Sequence, residues 1–160
     1  MDIMGRIDWT LAIGEEEEGA SMTRAQDEAL VAIGKLVCAW GLFEGALEER
    51  IAALRTAAGE VRAVGNRTRP GMSRRFAELR AVIAMRDRRN AEALNEIAII
   101  EGEIQRVDTL RLMIVEGFHG RDGDALICRD GKNRPMTVGI AQIGREAEVL
   151  DRLREKIAVI

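Results

Sequence analysis

Arg111, Glu116 and His119 fall within nine residues of one another, and His119 is the only histidine in the chain. Imidazole titrates near neutral pH and is the natural acid–base group, while a guanidinium is a natural phosphate clamp. Glu44 is the other conspicuous charge. Apolar residues recur at Leu30, Ile33, Val37, Trp40, Leu47, Ile51 and Leu54, alternating three and four apart except where position 44 interrupts them. That rhythm describes one face of a helix. A carboxylate on a buried face is costly unless paired, and the planar fork of Arg111 suits it, which predicts a Glu44–Arg111 ion pair. The competing reading rotates the helix so that Phe43 faces the core and Glu44 lies at the rim. The sequence leaves both open.

A second concentration of charge runs from Arg62 to Arg89, with nine arginines against Glu78 and Asp87. Arg74, Arg75, Arg86, Arg88 and Arg89 are its candidates for contact with nucleic acid or a partner. Against this, arginine is the default cation throughout, with 21 Arg and three Lys. Net charge is −3, which gives no overall pull toward nucleic acid, and 3% aromatic content leaves few rings to stack bases. Cys38 and Cys128 follow no metal-ligand spacing, so neither a metal nor another cofactor is expected. Free thiols, acids at Asp2 and Asp8 where a leader would be basic, and no apolar run near ~20 residues predict a cytoplasmic protein without a membrane span.

These residues need elements to hold them. An acidic N-terminal arm is expected over residues 1–22, with a strand or turn near Trp9 to Ile13. Ser21 or Thr23 then caps a long first helix, in which Gly34, Gly41 and Gly45 suggest close packing. A connection from Gly59 to Gly71 leads to a second helix capped by Ser73 and carrying Phe76 and Leu79. After a turn near Arg88 to Asn90, a third helix runs from about Ala91 to Glu116. Gly120 to Asp124 is turn chemistry; 125–130 and 135–138 form a β-hairpin around Gly131 to Arg134, and a last helix covers Ile140 to Ile157. The fold class is all-α: about four helices in a bundle, with a short hairpin before the last.

Three stretches in this order resemble the HEPN-like superfamily of helical proteins. AWGLFEGALEERI (39–51) is similar to its W-x-x-L/F-E-x-x-L pattern, RLMIVEG (111–117) to R-N-x-x-x-H-G, and GDALICRDGKNR (123–134) to the charged hairpin that often follows. The resemblance covers residues 23–160. It implies a helical domain that dimerises across the motif. In many members it also implies a metal-independent ribonuclease of toxin–antitoxin or phage-defence systems, whose histidine moves protons at the 2′-hydroxyl or leaving group while its arginine stabilises phosphate charge.

This chain departs from that pattern. Glu116 stands where the motif has histidine and Leu112 where it has asparagine; only Arg111 is kept. A carboxylate repels phosphate and lacks imidazole's poise near neutral pH. The favoured expectation is a non-catalytic HEPN-like module that binds protein or RNA as a homodimer, in a toxin–antitoxin, phage-defence or counter-defence setting. One such role is an inhibitor whose acidic arm mimics nucleic acid. The alternative is a divergent ribonuclease using Arg111 and His119, with Glu116 nearby. A third reading makes the Leu30–Leu54 seam an oligomer interface rather than a core.

Overall fold

The computed structural model describes residues 9–59, 71–86 and 90–160, with backbone only for 9–23, 25 and 26. Four helices and one small sheet follow in the order α1 (Trp9–Ala57), α2 (Met72–Arg86), α3 (Ala91–Gly117), β1 (Phe118–Asp122), β2 (Ala125–Arg129), β3 (Pro135–Gly139) and α4 (Ile140–Val159). The expected helical bundle is therefore present, with three antiparallel strands in the order β1-β2-β3 rather than a two-stranded hairpin.

α1 begins at Trp9, where a strand or turn was expected, and continues unbroken through the acidic stretch. Residues 1–8 of the expected arm, most of the Gly59–Gly71 connection and Arg88 and Arg89 lie outside the described residues. Gly59 closes α1 in the left-handed conformation that favours glycine, φ 78°, its N–H donating to the Thr56 carbonyl. Asn90 caps α3, its side-chain oxygen accepting from the Ala93 N–H at 3.1 Å.

The rotated version of α1 is the one observed. Its buried face runs through Ala29, Ala32, Leu36, Ala39, Phe43, Leu47, Ile51 and Leu54, with Trp40 at its edge. Leu30 and Val37, expected in the core, are 67% and 48% exposed. Alanines on the true face let α4 approach closely, and α4 presents Ile143, Ala147, Leu150, Leu153 and Ile157 to the same core. Phe43 meets Phe76 of α2, ring centroids 6.3 Å apart.

The ion pairs fix how the helices run. Arg106 to Glu146 (2.5 Å) and Glu96 to Lys156 (2.9 Å) tie α3 to α4 in antiparallel register. Arg80 to Glu101 joins α2 to α3, and Arg55 to Glu78 (2.7 Å) joins α1 to α2. Glu146 is buried, and its hydrogen bond holds the Arg106 guanidinium above its ordinary pKa.

Within Asp27–Ala57 an 18-residue window reaches a mean hydropathy of 1.6, so α1 is long and apolar enough to cross a bilayer, although no uninterrupted run shows it. One third of that window is buried inside the protein.

Candidate functional site

The proposed Glu44–Arg111 pair does not form. Glu44 instead faces Arg75 of α2 at 3.3 Å, and Glu48 one turn later approaches the same guanidinium at 2.9 Å. Arg75 is 2% exposed, so a residue expected to meet a partner is a buried cation held by two carboxylates of α1. Rotation of α1 is the reason: with Phe43 in the core, Glu44 is carried toward α2 and away from α3. Arg111 lies over the face of Trp40, its guanidinium carbon 4.6 Å from the ring centroid, and donates from Nε and Nη2 to Asp108 at 3.0 and 2.6 Å. That contact is an attraction between a cation and the negative face of an indole.

The α3 helix also explains why Arg111 and His119 do not share a site. Thr109, Leu112, Met113 and Glu116 lie on one face of its last turns. Arg111 is about 150° around the helix from that face, at ~100° per residue. The face with Glu116 borders a cleft of about 580 Å³, closed on its other sides by Phe118 and His119 of β1 and by Arg129, Asp130, Gly131 and Asn133 of the β2–β3 turn.

Two local features build this cleft. Gly117 is one: a Cβ there would lie 2.1 Å from the Arg129 carbonyl oxygen, so only glycine lets the end of α3 sit on the β2 backbone. The other is a bulge. Phe118 pairs with Cys128 and Gly120 with Ile127, which leaves His119 as the extra residue of β1. A bulge re-aims the side chain it carries, and His119 lines the cleft. Sequence reading took this stretch as loop and turn; β1 and its bulge were missed because FHGRD lacks the apolar alternation of a strand.

Asp130 organises the opposite wall. Its Oδ1 accepts from the N–H groups of Lys132 and Arg134 at 2.9 and 2.8 Å, and its Oδ2 from Arg134 Nε at 2.7 Å. The backbone and side-chain hydrogen bonds from Arg134 lead in holding its carboxyl below the usual range. Asn133 takes the left-handed conformation, φ 61°, which asparagine tolerates better than most residues. Arg129 reaches across the turn to the Asn133 carbonyl at 3.1 Å. Arg129 and Asp130 were not among the expected site residues, although an Asp opening a glycine-containing turn is a signal for such a cradle.

The cleft therefore gathers His119, Glu116, Arg129 and Asp130 around apolar Leu112, Met113 and Phe118, and it excludes Arg111. Arg74 and Arg86 are exposed. They stand about 120° apart around α2, at ~100° per residue, and so form no single basic face. Among the described residues no cluster of three metal-ligating side chains is present. Comparison of the chain with protein-family models, curated proteins and solved structures finds no match.

Proposed function

We propose that the chain is a non-catalytic, HEPN-like interaction module that works as a homodimer in the cytoplasm and holds a protein partner in the cleft at the end of α3. The observation that carries this reading is the fate of Arg111. Its guanidinium is committed to Trp40 and Asp108 inside the protein, and is not offered to a phosphate beside His119. The lining favours protein over RNA. Glu116 and Asp130 repel a phosphodiester, whereas exposed Leu112 and Phe118 provide an apolar floor for a partner's side chains. The likeness of residues 111–117 to the superfamily motif supports a toxin–antitoxin, phage-defence or counter-defence setting.

A ribonuclease reading keeps one supporting observation: His119 shares the cleft with Arg129, a cation in a different place from the one the motif supplies. A single experiment separates the two. Purified protein is incubated with structured and unstructured RNAs in chelator, alongside the His119→Ala, Arg129→Ala and Arg111→Ala variants. Intact RNA throughout is the expected result; cleavage that disappears in His119→Ala and Arg129→Ala would assign the ribonuclease instead. A photoreactive side chain at position 118, activated in the native cells, should then yield a protein adduct, and adducts with RNA alone would reject the protein partner.

A further inference from the structure

We propose that the cleft at the end of α3 takes the guanidinium of an arginine presented by the partner protein, held between the Glu116 carboxylate and the Phe118 ring. This rests on the protein-partner reading above and names the side chain that the cleft recognises. The electronegative end of a helix favours a cation. In the last turn of α1, α2 and α4 that cation is present, as Arg55, Arg86 and Lys156. The last turn of α3 has none and carries Glu116 instead, so a full negative charge is added to an end that is already negative. Glu116 is exposed, and among the described residues it has no ion-pair partner.

Other polar groups of the lining are engaged. Thr109 donates to the Gln105 carbonyl at 2.9 Å, Asp130 accepts three bonds from its own turn, and Arg129 donates to the Asn133 carbonyl. Of the two carboxylates and the guanidinium that line the cleft, Glu116 is therefore the group left unmatched among the described residues.

The apolar lining is a separate observation. Phe118 is 55% exposed and Leu112 36%, and both border the cleft beside Met113. A bare carboxylate attracts any cation. A ring and two aliphatic side chains next to it select a flat, weakly hydrated head on a hydrocarbon stem. The guanidinium stacks on Phe118 and forks to Glu116, while its methylenes lie on Leu112 and Met113. The protein already holds one arginine in this manner, since Arg111 lies over Trp40 and donates twice to Asp108.

An anion is the competing occupant, because Arg129 and His119 stand across the cleft and Lys132 is exposed on the turn. It fits less well. Arg134 is paired with Asp130, Arg129 is drawn onto its own turn, and an anion between the walls would face Glu116 and the negative end of α3.

Amide NMR spectra of the full chain, titrated with acetyl-arginine methylamide to millimolar concentration, should show saturable shifts at Leu112, Glu116 and Phe118. The citrulline analogue, equal in shape but uncharged, should cause none. Glu116→Gln should weaken arginine binding by about tenfold or more, the scale of a hydrogen bond to a charged group, and Phe118→Leu by about threefold. Arg129→Ala, which removes the opposing cation, should strengthen it. Should Phe118→Leu disturb the sheet, the Glu116→Gln and citrulline arms decide alone. Equal shifts with citrulline or with acetyl-lysine methylamide overturn the guanidinium, as does the absence of any shift. Inorganic phosphate that moves these amides while arginine leaves them unmoved assigns an anion site instead. An aromatic photoreactive side chain at position 118 separates this inference from the reading it rests on. A protein adduct that forms equally well in Glu116→Gln overturns the arginine and leaves the protein partner standing, and no protein adduct at all overturns both.

Discussion

Arg75, Arg111 and Gly117 show how differently three single residues can be used. Arg75 is a buried charge whose two acidic partners are only partly covered, at 21 and 42% side-chain exposure. Removing the partners is expected to hurt more than removing the cation. Glu44→Gln with Glu48→Gln strands a buried guanidinium and should cost about 3–5 kcal/mol, whereas Arg75→Met replaces it with apolar volume and should be close to neutral. Urea denaturation of the two proteins measures the difference, and equal losses would show that the pairing does not matter. Gly117→Ala sets a methyl group against the Arg129 carbonyl and should lower stability by about 1–3 kcal/mol, read in the same assay. Arg111 was legible as a residue with a structural task, but its partner was not. A carboxylate at position 44 is visible in the sequence; the face of Trp40 that receives the guanidinium becomes visible only once α1 is rotated correctly.

At the scale of elements, the strongest periodic patterns were read well and the compromises were not. The last helix was expected over Ile140–Ile157 and is observed over Ile140–Val159, because its apolar residues all face one way. The β2 and β3 strands fall where the turn at Gly131 to Arg134 implied. In α1 the C-terminal half of the expected seam is right and the N-terminal half is a residue out. There the core face is lined by Ala29, Ala32 and Ala39, and larger Leu30 and Val37 outweigh them in any count of apolar character. The β2–β3 turn also carries a pH prediction. The Asp130 carboxyl is held below its ordinary pKa, so its stabilising effect is complete above the unfolded value and is lost as pH falls through the lower folded value. Amide exchange at Lys132 and Arg134 should therefore stay slow through pH 5 and accelerate below about pH 4, near the ordinary Asp pKa. Asp130→Asn should remove that acid-dependent step, and identical profiles would refute the assignment.

Across the whole molecule, the two cysteines report on the core. Cys128 is buried in β2, and burial pushes its thiol above the ordinary pKa, while Cys38 is exposed on α1. A thiol reagent at neutral pH should modify only Cys38 in the native protein and both after denaturation. Rapid native labelling of Cys128 would mean that the sheet opens readily. The pairing of α1 with α4 reaches furthest. The helix that supplies nine of the 27 buried core residues, more than any other element, is the first in chain order, and the one that covers it most extensively is the last. On a ribosome adding roughly 5–20 residues per second, about a hundred residues separate the end of α1 from the end of α4, a wait of about 5–20 s. During that interval the apolar face of a membrane-length helix lacks the cover that α4 gives it. Nascent copies are therefore natural clients for the factors that greet exposed hydrophobic helices at the exit tunnel. In cells, the yield of folded protein should depend more on those factors and on translation speed than the stability of the finished fold would suggest.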